Sequence, residues 1–186
     1  METAELLQRC RSGDNLAWEA LVRRYQARMY GLALSYVRNS EEARDVAQEI
    51  FVRIYRKLNS FNDQETFLPW LLKVGRNVCI DHLRRAKARG SDVNSPIEED
   101  SDWPSAGPSP ESEASSGESR RLIHAALEKL SETNREMIIL KEIQGLKLEE
   151  IASMLALPLG TVKSRLHNAL AELRRDERLR DFFTKT

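Results

Sequence analysis

Cysteine is almost missing from this chain, with Cys10 and Cys79 the only two in 186 residues. Two such residues, far apart, cannot staple a small secreted scaffold and do not form a metal-type pair. Long apolar runs are missing too: none approaches the roughly 18 residues of a membrane span. The opening residues, METAELLQRCRSGDNLAWEA, lack the basic-then-apolar order of a secretory signal. These absences lead to the expectation of a reduced, cytoplasmic protein. Catalytic signatures are equally scarce. No glycine-rich phosphate loop is present, and His82, His124 and His167 stand too far apart for metal-ligand spacing. No nucleophile–base pattern stands out, so neither an enzyme nor a bound metal or cofactor is expected. No stretch alternates apolar and polar residues as a half-buried strand does, and the expected fold class is all-α.

Net charge is also lacking, since 29 basic residues balance 29 acidic ones. That balance hides a segregation. Residues 1–90 hold 16 Lys and Arg against 11 Asp and Glu, residues 91–119 hold none against 8, and residues 120–186 hold 13 against 10. Two mildly basic blocks flank an acidic strip, and a nucleic acid responds to the local charge rather than the total. The strip, Ser91 to Ser119, is rich in Ser, Pro, Gly and acid and carries little apolar material beyond Val93, Ile97 and Trp103. Such a composition cannot repay the entropy of ordering, so the strip reads as a flexible acidic linker between two small helical domains, residues 1–90 and 120–186.

Helical periodicity fills the first block. A short helix is expected over residues 4–11. Trp18, Leu21, Val22, Tyr25, Met29, Leu32, Ala33, Tyr36 and Val37 recur in steps of three and four. Asn39 with Glu42 forms a capping pattern that separates this helix from the next, striped by Ala43, Val46, Ala47, Ile50, Phe51, Ile54 and Leu58. After a polar loop, Thr66 is placed to cap a third helix with Pro69 in its first turn and Phe67, Leu71, Val74 and Val78 along one face. In the second block, RRLIHAALEKL reads as a short amphipathic helix, and Ser131 starts another over ETNREMIILKEI, ended near Gly145.

The stretch EEIASMLALPLGTVKSRLHNAL, Glu149 to Leu170, then interrupts itself. Leu148, Ile151, Ala152 and Leu155 share one helical face, and Pro158 cannot continue that helix, so a turn is required at Ala156–Leu157. A second stripe follows in Val162, Leu166, Ala169, Leu170 and Leu173, leaving Thr161, Lys163, Ser164, His167 and Asn168 on the opposite face. Two short helices with a polar outer face on the second make a helix-turn-helix, whose second helix enters a DNA major groove. The same residues also fit an ordinary αα-hairpin with a solvated face.

Taken with its neighbours, the stretch resembles a known family. LSETNREMIILKEIQGLKLEEIASMLALPLGTVKSRLHNALAELR, Leu130 to Arg174, closely resembles domain 4 of sigma-70 family transcription initiation factors. Upstream, RDVAQEIFVRIYRKL resembles the domain 2 helix that binds polymerase, and FLPWLLKVGRNVCIDHLRR the helix that engages the −10 promoter element. With no room for the extra regions of the larger factors, the chain is similar to the small extracytoplasmic-function (ECF) group.

This resemblance implies a sigma factor that binds core RNA polymerase and recognises and melts promoters, with no covalent chemistry of its own. Asp45, Gln48, Glu49, Phe51 and Arg53 then fall on the polymerase-docking surface for the β′ clamp, although Phe51 fits core packing equally well. The β subunit is the other core partner implied. The −10 set comprises Phe61, Asn62, Asp63, Gln64 and Phe67 around an extruded base, with Arg76, Asn77, Arg84 and Arg85 toward DNA; Lys87 and Arg89 extend this charge run, which a solvated face also explains. The −35 set comprises Lys163, Ser164, His167 and Asn168 toward bases, with Thr161, Arg165 and Arg174 toward the backbone. An anti-sigma factor is a further implied partner. The chain departs from the family at Asn168, where Arg is frequent, and at Leu130-Ser131, where Leu-Pro is frequent.

Overall fold

The structure is a computed structural model that describes residues 2–62, 66–90, 126, 127 and 129–175. The chain divides into two compact units, and every described element is helical. The strip at 91–119, with Trp103, lies outside the described residues, as do Asp63 and Gln64.

In the first unit, α1 (Thr3–Arg11) buries Leu6, Leu7 and Cys10. Asp14 then caps α2 (Asn15–Val37) by accepting the Leu16 and Ala17 N–H groups. Arg9 holds the same carboxylate at 2.7 Å, and this hydrogen bond keeps the Asp14 carboxyl below the usual carboxylate range. Helix α2 ends at Arg38, whose φ of 61° is left-handed, and Asn39 opens α3 (Ser40–Lys57) by accepting the Glu42 N–H at 2.9 Å, as the capping pattern predicts. A 3₁₀ turn, Leu58–Ser60, ends this segment. Helix α4 (Phe67–Ala88) follows, with Thr66 at its N-cap position. The expected Thr66 cap is corrected here: its side chain makes no capping hydrogen bond.

Helices α2, α3 and α4 pack together around Leu21, Met29, Leu32, Leu34, Ile50, Ile54, Leu71 and Leu72, all fully buried. Leu34 and Leu72 fall outside the single stripes expected for their helices. The reason is that residues 31–35 of α2 are buried on all sides, a central helix rather than a surface one. Gly75 makes the close approach of α4 workable: a Cβ there would stand 2.8 Å from Leu32 Cδ2 and 3.4 Å from Met29 Sδ.

In the second unit, Ser131 caps α5 (Glu132–Ile138) through the Asn134 N–H at 3.3 Å. The expected helix over ETNREMIILKEI changes character midway, becoming a π-helix over Ile139–Ile143. Gln144 N–H reaches back five residues to Ile139 O at 2.8 Å, and Leu146 N–H reaches Leu140 O at 3.1 Å. Met137, Ile138, Ile139 and Leu140 are four consecutive apolar residues and all are buried. A narrow α stripe cannot inter four in a row, and the wider π turn accompanies their burial. Gly145 turns the chain at φ 70°, and α6 (Leu148–Leu155) and α7 (Leu159–Arg174) complete the unit.

Candidate nucleic-acid interface

The interruption between α6 and α7 is a tight turn built from backbone bonds. Ala156 takes a left-handed φ of 53°, Leu157 N–H donates to Ala152 O at 2.9 Å, and the chain leaves α6 as Pro158 requires. Pro158 is the N-cap residue of α7, and its carbonyl accepts from Thr161 N–H at 2.9 Å. Gly160 lies inside the first turn rather than before it, with open space where a Cβ would stand. At the start of α6 the Glu150 carboxylate accepts the Lys147 N–H at 2.7 Å, which fixes the entry of the helix.

The two faces of α7 separate as its pattern predicts. Val162, Ala169 and Leu173 are buried, and Ala169 and Leu173 share a core with Leu127, Leu130 and Ile138, against which Leu166 and Leu170 pack. Lys163, Ser164, His167, Asn168 and Arg174 are exposed, and Thr161 and Arg165 are half-buried at the margins. Ser164 Oγ already donates to Thr161 O at 3.0 Å, so its hydroxyl has acceptor capacity left for an incoming group. One α5 side chain reaches α7 and the next one reaches the residues before α5. Asn134 Nδ2 donates to Glu172 Oε2 at 3.1 Å, and Arg135 donates to Leu127 O at 2.8 Å and Leu130 O at 3.0 Å. The sequence expectations assign Arg135 no role; the structure places its guanidinium on the carbonyls of Leu127 and Leu130, just before α5.

In the first unit the predicted residues fall on two helices. On α3, Asp45 and Gln48 are exposed, whereas Glu49, Phe51 and Arg53 are half-buried. Phe51 stands edge-on to Trp18 with ring centroids 6.5 Å apart, so it joins α3 to α2. Trp18 also meets Tyr55 at 5.0 Å. Tyr55 and Val52 are more than half exposed or close to it, at 59% and 50%, and Leu16 is 73% exposed. These apolar surface residues were missed by sequence reading; the signal is that Val52 and Tyr55 lie off the buried stripe of α3.

On α4, Asn77, Arg84 and Arg85 are exposed and Arg76 is half-buried. Arg85 reaches across to α3, its Nη2 lying 2.9 and 3.0 Å from the two Glu49 carboxylate oxygens; Arg53 approaches the same carboxylate at 3.8 Å. The structure therefore joins a residue of the polymerase set to one of the −10 set. Arg84 lies 4.0 Å from Asp81. His82 of α4 contacts Glu42 of α3 at 2.5 Å, a second tie between the same helices. Phe61 and Phe67, the two ends of the expected base-binding loop, are buried and meet each other at 5.3 Å, and both contact Trp70. The exposed residues between them that the structure describes are Asn62 and Thr66. Among the described residues no cluster of His, Cys, Asp or Glu is arranged to hold a metal, and no helix is long and apolar enough to cross a membrane.

Comparison with known proteins places this geometry. Residues 21–89 match the family described as Sigma-70 region 2, and residues 120–173 match Sigma-70, region 4. The chain is 34% identical over 173 residues to the RNA polymerase sigma-H factor of Pseudomonas aeruginosa, covering 89% of this chain and 88% of that protein. It is 34% identical over 169 residues to the ECF RNA polymerase sigma-E factor of Escherichia coli, covering 88% of each. Among solved structures it is similar to CnrH in complex with the cytosolic domain of CnrY, with a TM-score of 0.66, 26% identity and coverage of 92% of this chain and 94% of that one. The sigma factor RpoE of Bartonella quintana, in complex with the anti-sigma factor NepR, shares the fold at a TM-score of 0.66 and 23% identity, over 84% of this chain and 94% of that one. The chain belongs to the sigma-70 family, in its ECF group: a non-catalytic RNA polymerase subunit that directs the enzyme to promoters.

Proposed function

We propose that the two units divide promoter recognition between them, residues 1–90 taking the polymerase clamp and the −10 element and residues 120–186 the −35 element, with 91–119 as the linker. The observation that carries this reading is the exposed row Lys163, Ser164, His167 and Asn168 on α7, backed by a helix-turn-helix whose inner face is buried. An amino-terminal recognition helix presenting a cation, a hydroxyl, an imidazole and an amide has the donors and acceptors that a major groove requires. Arg165, Thr161 and Arg174 flank that row and serve the sugar–phosphate backbone.

On the first unit, Asp45, Gln48, Glu49 and Arg53 present a polar face of α3 to the β′ clamp, with Phe51 contributing through its packing on Trp18. Val52 and Tyr55 add apolar area to that face. Phe61, Asn62, Asp63, Gln64 and Phe67 are assigned to a base flipped from the −10 element, and Arg76, Asn77, Arg84 and Arg85 to the exposed strand. Each unit alone is small and only mildly basic, so its grip on free DNA is weak. Docking on polymerase holds both at a fixed spacing and raises the effective concentration of the second contact. The site of action is the cytoplasm, where core polymerase works. CnrH and the Bartonella factor were solved with protein partners; a protein antagonist for this chain follows as part of the same reading.

The test is a run-off assay with this chain, bacterial core polymerase and a library of two-element promoters. Discrete transcripts from cognate promoters are expected. No product above that of core alone would falsify the reading.

A further inference from the structure

Helix α1 has no part in any of the roles above, yet its last residue reaches the base-binding loop. Arg11 Nη2 donates to Phe61 O at 2.9 Å, and its Nε lies 3.4 Å from Leu58 O. The guanidinium carbon stands 5.8 Å from the centroid of the Phe61 ring. One side chain thus engages the carbonyls at both ends of the turn that leaves α3, together with the ring that begins the loop. A rigid planar fork suits this combination of contacts, and Arg has one where Lys has a flexible point charge. Phe61 passes the constraint onward. Its ring meets Phe67 at 5.3 Å and Trp70 at 5.1 Å, and Phe67 meets Tyr25 at 5.5 Å. The entry of the loop is tied to α1 and the exit to α2 and α4, across nearly 50 residues of sequence.

We infer that Arg11 is a positioning residue for capture of the flipped −10 base. A pocket for a single extruded base discriminates only while its walls hold their geometry to about half an ångström. Phe61 and Asn62 are the described residues at the entry to that pocket, and Arg11 fixes the carbonyl of the first, one peptide bond from the second. The inference rests on the proposed reading of Phe61–Phe67 as the base-binding loop.

The experiment uses the full chain with core polymerase and single-stranded or fork −10 oligonucleotides in which each non-template base in turn is made abasic. In the wild-type holoenzyme one position is expected to lose about tenfold or more in affinity, the scale of one stacked and bonded base. If no position does, the proposed loop reading fails, whatever Arg11 does. Given that position, R11A is expected to reduce the abasic penalty to about twofold, with binding to core and to duplex −35 DNA within about twofold of wild type. R11K is expected to retain an intermediate penalty, since an ammonium on a flexible stem lacks the rigid fork that holds both carbonyls and the Phe61 ring in one geometry. A full wild-type penalty in R11A or in R11K overturns the inference. So does a parallel loss of core binding in R11A with no base-specific component. If R11A does not fold, R11K alone decides.

Discussion

Arg85 on α4 and Glu49 on α3 form a bridge in which one guanidinium nitrogen lies 2.9 and 3.0 Å from both carboxylate oxygens. The proposed reading assigns one to DNA and the other to polymerase, yet here each occupies the other. The pair is exposed, with side chains 54% and 33% accessible, so its net worth is about 0.2–1 kcal/mol. A phosphate replaces the carboxylate at little cost. The R85A holoenzyme is expected to bind promoter DNA with a salt slope lower by about 1, one phosphate contact fewer. E49Q leaves that slope intact and weakens core binding. An unchanged slope in R85A, measured by titration between low and moderate salt, removes Arg85 from the DNA set.

Much of this arrangement was legible in the chain. Spacing alone located the helices, the Asn39 and Ser131 caps and the turn forced by Pro158, because caps and proline act within a few residues. The apolar and polar faces of α7 follow from one stripe. What could not be read depends on partners distant in sequence. Glu49 with Arg85 and Arg11 with Phe61 are set by helix packing, and no local pattern encodes them. The π-helix at Ile139–Ile143 escaped for a different reason, since four consecutive apolar residues fit no single α stripe. Residues 91–119 and Asp63–Gln64 lie outside the described residues, so composition remains what speaks for them.

Two glycines within helices should respond in opposite ways to the same substitution. Gly75→Ala places a methyl 2.8 Å from the buried Leu32 side chain, and overpacking of about 1–3 kcal/mol outweighs the helix-propensity gain of about 1 kcal/mol. Gly160→Ala meets nothing within 4 Å and keeps the propensity gain less solvent effects, up to about 1 kcal/mol of stabilisation. Amide exchange across α4 and α7 reads each effect in its own unit. Slower exchange in α4 for Gly75→Ala contradicts the packing described for that helix.

Cys79 carries a pH dependence whose sign can be worked out. Burial pushes its thiol up to about 12, and the residue is inaccessible. The folded value lies above the unfolded one, near 8.5. The neutral thiol therefore contributes its full stabilisation below about pH 8.5, and this declines as pH rises toward 12, at up to about 1.4 kcal/mol per pH unit. Urea midpoints between pH 7 and 10 should fall more steeply in wild type than in Cys79→Ala. Iodoacetamide at pH 8 should label Cys79 only as fast as the unit opens. Rapid labelling of the native protein refutes the burial.

The −35 row makes the most specific demand. Lys163→Ala and His167→Ala remove groups that are exposed and far from the buried face of α7, so core binding and folding should be unaffected. Each is expected to cost about 1–3 kcal/mol of discrimination at one base pair. Asn168 sharpens the test, because the side-chain amide and the guanidinium prefer different bases. An amide pairs with the adenine N6 and N7 edge, whereas a guanidinium pairs with guanine O6 and N7. Asn168→Arg should therefore move the preference at the facing position from adenine toward guanine in a selection from random promoter DNA with the holoenzyme. The other positions of the −35 element should keep their preferences, since the buried Val162, Ala169 and Leu173 that set the docking of the helix are untouched. A loss spread evenly over the whole element instead would mean that Asn168 sets the position of α7 rather than reading a base.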